Sequence, residues 1–333
     1  MLEKLGVLKI LKQYKNQFVR WESFLDGRYK EQARLQDIID FWLEQGYEIN
    51  VSGEFGLQLT ELPDRLYPWE LQENLHTHRM GKKIFHYEEI DSTNREALDM
   101  AKNGAEEGTV VVSEYQRQGR GRFQRVWESP RSKGTYFSFI LRPCVPMKSV
   151  SQLTLLTGVA VAQSMREVSG CVASVKWPND ILINGKKVCG ILAEAKTRKG
   201  GQYPEYIVIG VGMNVNFAYD EFPPDIQAVA TSLFLESGHL INRVELTRVF
   251  LRNFENHYEQ FLLNGYNYLR LVWLDYNCTI GHEVSITGHT GEKLSGVAVD
   301  LGSNGGIVIK DVKSKELKEY LAGDVSIGSQ NFH

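Results

Sequence analysis

Hydrophobic positions follow a helical period over residues 2–14. They do so again over residues 34–45, where Leu35, Ile38, Ile39 and Trp42 would line one face. Gly46 supplies a stop for that second helix. The period then falls to two over residues 47–51 and 57–59, with Gly53 and Gly56 between them, and this predicts a hairpin. Residues 1–62 therefore read as helix, helix, helix, hairpin, and Pro63 and Pro68 mark a linker over residues 63–82. Beyond the linker strands and helices mix. Apolar runs at residues 109–113, 135–141, 172–175 and 206–211 predict strands of a mainly antiparallel or mixed sheet, and residues 152–168 and 244–263 are the longest helical patterns. Thr93 and Glu96 have the spacing of a capping box, which would open a helix over residues 95–102. From about residue 270 to 328, Gly281, Gly288, Gly291, Gly296, Gly302, Gly305 and Gly306 separate short Val and Ile alternations, the spacing of a small barrel of short strands.

Composition narrows the class. A chain of 333 residues with 42% hydrophobic content can bury a sizeable core in two or three domains. The net charge of -3 gives no global sign of a polyanionic partner. Cys144, Cys171, Cys189 and Cys278 are scattered without metal-ligand or disulfide spacing, which places the chain in a reducing cytoplasm. No stretch approaches the roughly 18 apolar residues of a membrane span, so neither membrane insertion nor secretion is expected.

The candidate chemistry sits in three blocks. Arg117, Arg120, Arg122 and Arg125 share one stretch with Gly119 and Gly121 and no acid, directly after the apolar run at residues 110–112. Forked guanidinium donors fit carboxylate and phosphate, and glycine lets backbone approach a ligand closely. In isolation such a stretch reads equally well as a solvated loop or a nucleic-acid arm. The second block is Lys176, Trp177, Pro178, Asn179 and Asp180, whose indole could cover a ring and whose Asn and Asp could bind amide-like or metal-associated groups. The third, from Lys186 through Val188 and Gly190 to Glu194, begins just after Asn184 and Gly185, the pair expected of a tight turn between two strands. Lys187 alone would be an ordinary surface lysine; the other two blocks favour a ligand role.

Together these blocks resemble the biotin protein ligases, the BirA-type biotin–acetyl-CoA-carboxylase ligases. The resemblance is carried by residues 116–127 in a QxxGRGRxxRxW pattern, by the KWPND block at 176–180, by the Lys-x-Cys-Gly-Ile-Leu stretch, by Ser92, Thr93 and Asn94, and by Gly210, Gly212 and Asn214. It implies an α+β architecture: a winged-helix-like domain at 1–62, a linker at 63–82, a class II synthetase-like catalytic domain at 83–268 with a mixed or antiparallel sheet, and an SH3-like barrel at 269–333. It implies ATP-dependent activation of biotin to biotinyl-5′-AMP and transfer to a lysine of the biotin carboxyl carrier protein. Arg122 and Lys187 would be catalytic. Biotin would meet Ser92, Thr93, Asn94, Gln116, Arg120, Gly121, Arg122, Lys187 and Gly210. ATP or adenylate would meet Arg120, Arg122, Trp127, Lys176, Asn179, Asp180, Lys187 and Asn214. Magnesium would arrive with ATP, with Asp180 as its indirect holder and no dedicated metal site. Biotin is favoured over lipoate because its ureido group rewards the polar set Ser92, Thr93 and Gln116.

Three departures from the family pattern stand out. Residues 31–48 contain Arg34 against Glu31, Asp37, Asp40, Glu44 and Glu48, and residues 1–75 hold nine basic against thirteen acidic residues, a poor DNA-reading surface. A homodimer is compatible with the resemblance; a biotin-operon repressor role is disfavoured by this charge. Phe123 and Gln124 stand where a basic residue and glycine are commoner, and Gly328 replaces a C-terminal arginine, so no nucleotide contact is assigned there.

Overall fold

The computed structural model describes residues 1–24, 32–197, 201–287, 293–312 and 314–327. The chain forms two compact units, Met1–Arg65 and Leu66–His333.

In the first unit, helices α1 (Leu2–Gln13) and α2 (Gln32–Glu44) accompany an antiparallel hairpin, β1 (Glu48–Ser52) with β2 (Gly56–Glu61). The expected face of α2 is the buried one: Leu35, Ile38, Ile39 and Trp42 are all in the core with Leu57 and Leu59. Trp42 donates its indole N–H to the Lys4 carbonyl at 3.1 Å, which ties α1 to α2. Gly46 follows α2 at φ +88°, a conformation open to glycine at little steric cost. Of the middle helix, Trp21–Ser23 forms a single 3-10 turn, and residues 25–31 lie outside the described residues.

The residues expected as a linker do not all behave as one. Leu66, Leu71 and Met80 are fully buried in the core of the second unit, and Pro68–Gln72 forms a short helix, α3. The Glu255 carboxylate accepts the backbone N–H groups of His78, Arg79 and Met80. Packing of this kind fixes residues 66–82 against the second unit.

The second unit is built on a seven-stranded mixed sheet in the order β3-β4-β5-β9-β8-β7-β6: β3 (Ile84–Tyr87), β4 (Val110–Ser113), β5 (Gly134–Leu141), β6 (Ser174–Lys176), β7 (Asp180–Ile183), β8 (Lys186–Thr197) and β9 (Pro204–Asn214). Only β3 and β4 run parallel. The period-two alternation sorts side chains to two faces. Val110, Val112, Phe137 and Phe139 pack with Phe250 and Phe254 of helix α7 (Arg243–Tyr276) and with α5 (Val150–Ser169). Val111, Ile140, Tyr206 and Val208 face Ala97 and Ala101 of α4 (Thr93–Lys102). A short helix, α6 (Leu233–Ser237), precedes α7. The α7 pattern outruns its prediction at 263 and breaks at Gly265, where φ is 61°.

Asn184 and Gly185 join β7 to β8 with φ of 49° and 76°, the two positive values of a type I′ turn. The last segment folds as a five-stranded antiparallel sheet, β13-β12-β11-β10-β14, from β10 (Glu283–Thr287), β11 (Lys293–Leu301), β12 (Ile307–Asp311), β13 (Leu317–Tyr320) and β14 (Asp324–Ile327). Gly288 and Gly291 lie outside the described residues. This sheet shares one core with the larger one through Val284, Ile286, Ala298 and Val325.

Candidate active site

A pocket opens where the sheet runs out of side chains. On the α4 face of β9 the bulky Tyr206 and Val208 give way to Gly210 and Gly212, paired with Leu192 and Gly190 of β8. Close packing explains these glycines. A Cβ on Gly210 would collide with Asn94 Oδ1, one on Gly212 with the Trp127 indole, and one on Gly190 would lie 2.9 Å from Trp127 Cζ3. The resulting cavity, about 220 Å³, takes its walls from the start of α4, the arginine loop, β8, β9 and residues 222–230.

One wall is a hydrogen-bond chain. Thr93 donates its backbone N–H to Gln116 Oε1 at 2.9 Å, and its hydroxyl lies 2.8 Å from Ser138 Oγ. Ser138 donates to Asn94 Oδ1 at 2.7 Å, and Asn94 Nδ2 donates to Glu194 at 2.8 Å. Gln116 passes its own N–H to Ser129 at 2.9 Å. The capping box does not form: Ser92 is the N-cap without a side-chain cap bond, and Glu96 instead accepts from Tyr87. Gln116 satisfies the orphan N–H of Thr93 from across the chain, so a tertiary partner replaces the local one.

The opposite wall is cationic. Arg122 donates to Asn179 Oδ1 at 2.9 Å and to the Gly323 carbonyl at 3.2 Å, joining the arginine loop, the KWPND block and the C-terminal sheet. Lys187 Nζ lies 2.6 Å from Asp180 Oδ1 and 5.4 Å from the centre of the Trp127 ring. Arg120 rests 3.4 Å from Glu194. Two cations thus start from carboxylate partners that an incoming anion must displace. Trp127 Nε1 is buried and makes no hydrogen bond among the described residues, which leaves a donor over the glycine floor. Cys189 is fully buried, and burial pushes its thiol far up, which Lys187 opposes only in part.

The stem of the arginine loop is closed by a buried pair. Ser132 donates its backbone N–H to the Glu114 carbonyl at 2.9 Å and its hydroxyl to the Glu114 carboxylate at 3.1 Å. Arg243 bonds the same carboxylate at 2.9 Å and the Gly134 carbonyl at 3.0 Å, and neither charged side chain is exposed. Burial would raise the Glu114 carboxyl; His86, Arg243 and the Leu66 N–H outweigh it and hold the group at about 2. The His86 ring lies 3.6 Å from the carboxylate, the Arg243 guanidinium 2.9 Å and the Leu66 N–H 2.8 Å.

Ser92, Thr93, Asn94, Gln116, Arg120, Gly121, Arg122, Trp127, Asn179, Asp180, Lys187, Gly210 and Asn214 all line this one cavity. Lys176 does not; it lies behind Asp180, with Nζ 3.7 Å from Oδ2. Trp177 cannot cover a ligand ring, because it is buried in the core and donates its indole N–H to the Gly305 carbonyl at 2.9 Å. Asp180 is a poor metal holder with a lysine on each side, and no group of three His, Cys, Asp or Glu side chains converges for a metal among the described residues. Sequence reasoning missed Ser138 and the apolar loop residues Phe222, Ile226 and Val229, and gave Glu194 no role beyond closing the third block. The loop reaches the pocket through backbone pairing: Lys187 donates to the Val229 carbonyl at 2.8 Å and accepts from Thr231 at 2.9 Å, a contact without a sequence signal.

The sequence matches the Biotin/lipoate A/B protein ligase family over residues 87–214. It is 32% identical to the bifunctional ligase/repressor BirA of Bacillus subtilis over 322 residues, covering 97% of this chain and 98% of that protein. The biotin--[acetyl-CoA-carboxylase] ligase of Mycobacterium tuberculosis is 32% identical over 239 residues, 70% of this chain and 85% of that one. Among solved structures, the biotin protein ligase from Aquifex aeolicus in complex with biotin and ATP superposes with a TM-score of 0.64 at 29% identity, covering 74% of this chain and 98% of that one. With a relative of this similarity along nearly its whole length, and with the GRGR, KWPND and Lys187 blocks gathered on one cavity, this chain belongs to the biotin protein ligases.

Proposed function

We propose that this pocket carries out both half-reactions of a biotin protein ligase. A biotin carboxylate oxygen attacks the α-phosphorus of ATP and pyrophosphate leaves, giving biotinyl-5′-AMP. A lysine amine of the biotin carboxyl carrier protein of acetyl-CoA carboxylase then attacks the mixed-anhydride carbonyl and AMP leaves. The observation that carries this reading is the convergence of Arg120, Arg122 and Lys187, from blocks far apart in sequence, with the polar wall of Thr93, Asn94 and Gln116 on one cavity. Two anions must meet in the first step, and fixed cations lower that repulsion without reorganising during the reaction. Arg122 and Lys187 are assigned to the charge at the carboxylate and α-phosphate. Ser92, Thr93, Asn94, Gln116, Gly121 and Gly210 take the biotin side; Trp127, Asn179, Asp180 and Asn214 take the nucleotide side, with Lys176 acting through Asp180. Mg²⁺ is assigned to the ATP it accompanies and not to a protein-built site.

The helix and hairpin order of residues 1–62 supports a winged-helix-like reading, and the five-stranded antiparallel sheet supports an SH3-like one. The acidic balance of the first unit argues against operator binding as a second role. A homodimer and a cytoplasmic location complete the reading. No helix among the described residues is long and apolar enough to cross a membrane. ATP–pyrophosphate exchange with biotin, with lipoate and with neither tests the assignment. Exchange stimulated by biotin alone is expected; stimulation by lipoate instead would redirect it to the other branch of the family.

A further inference from the structure

The polar wall of the pocket has a direction, and a residue outside the cavity sets it. Glu194 projects from β8 and is not among the lining residues. A carboxylate can only accept hydrogen bonds. Asn94 must therefore turn its NH₂ toward Glu194, at 2.8 Å, which presents Oδ1 to Ser138. The Ser138 proton goes to that oxygen at 2.7 Å, so Ser138 Oγ is left to accept from Thr93 at 2.8 Å. The Thr93 hydroxyl thus has two acceptors in reach, Ser138 Oγ and, at 3.2 Å, Gln116 Oε1, which also takes the Thr93 N–H. The same carboxylate holds Arg120 at 3.4 Å on its other oxygen.

We infer that Glu194 is a positioning residue of the ligase: it fixes the orientation of the Asn94 amide, and through it the pattern of donors and acceptors that the ureido group of biotin meets. This rests on the biotin reading of the pocket. Without an obligate acceptor at 194, the Asn94 amide can turn over, Ser138 loses its acceptor, and the wall presents a mixture of patterns. A site built to match paired polar groups binds its ligand poorly when those groups are mis-set.

Glu194→Gln tests this, because it keeps the size of the side chain but adds a donor. In biotin-dependent exchange, the KM for biotin should rise about tenfold while the KM for ATP stays within about twofold, and the melting temperature should hold, since the position is partly exposed. Titration of biotin alone, followed by tryptophan fluorescence, should give the same ratio without turnover. Glu194→Asp, which remains acceptor-only, should lose less than Glu194→Gln. A biotin KM unchanged in Glu194→Gln, or equal rises for biotin and ATP, overturns the assignment while leaving the ligase reading intact. Failure of the unaltered chain to show biotin-dependent exchange removes that parent reading and the role of Glu194 with it.

Discussion

Arg243→Leu should destabilise the second unit more than any single surface change, and the structure fixes the scale. Arg243 and Glu114 are both fully buried and 2.9 Å apart. A carboxyl held at about 2 instead of 4.5 favours its charged form by about 3 kcal/mol. His86 and Arg243 both hold it there, and loss of Arg243 strands a charge away from water, for which about 3–5 kcal/mol is usual. The Leu66 N–H and the Ser132 hydroxyl remain and soften the cost, so about 3 kcal/mol is expected, or a fall of roughly 10 °C in melting temperature. Urea titration and calorimetry at neutral pH measure it directly. Glu114→Gln in the same background should recover part of the loss, because a neutral amide needs no counter-charge. The pH dependence follows from the depressed carboxyl: the stability that Glu114 contributes is present above about 4.5 and disappears as pH falls towards about 2. The stability gap between the parent chain and Glu114→Gln should therefore close across that window. A loss below about 1 kcal/mol for Arg243→Leu, within the range of ordinary surface changes, or a gap that stays constant with pH, would refute the reasoning.

Other expectations are narrower. Arg122→Gly should release biotinyl-adenylate and label bystander lysines, because it removes the grip that joins the loop to Asn179; adenylate formed at the normal rate with no leakage would contradict that role. Lys187→Ala should lose most exchange activity with a melting shift of a few degrees at most, as suits a partly exposed side chain worth under about 0.5 kcal/mol to the fold; an active variant would return Lys187 to the surface lysines. Gly210→Ala should push Asn94 aside and raise the biotin KM, at a stability cost of about 1–3 kcal/mol, and unaltered biotin binding would show that this contact does not matter. Footprinting of the protein with biotin and ATP on its own carboxylase and biotin-synthesis promoters should show no protection at physiological salt; protection at nanomolar protein that is lost on deleting residues 1–62 would restore a repressor role.

The sequence by itself determined the periodic elements, because they depend on local rules. Trp42 and its companions on α2, the apolar runs at residues 110–112 and 206–211, and the Asn184–Gly185 turn all appear where hydrophobic spacing and backbone preference place them. It also determined which blocks carry charge suited to anions, and thirteen of the fourteen residues named for the site do share one cavity. What it could not decide depends on partners distant along the chain. The Thr93 cap went to Gln116, the Trp177 indole went to the Gly305 carbonyl instead of a ligand, and residues 66–82 were drawn into a core built from α7 and the sheet. Glu194 and the residues 222–230 joined the site by cross-chain hydrogen bonds and backbone pairing, neither of which leaves a periodic trace. Local preferences cost or gain only tenths of a kcal/mol to about one per residue, so a buried polar group that needs a partner decides among them once the chain is compact.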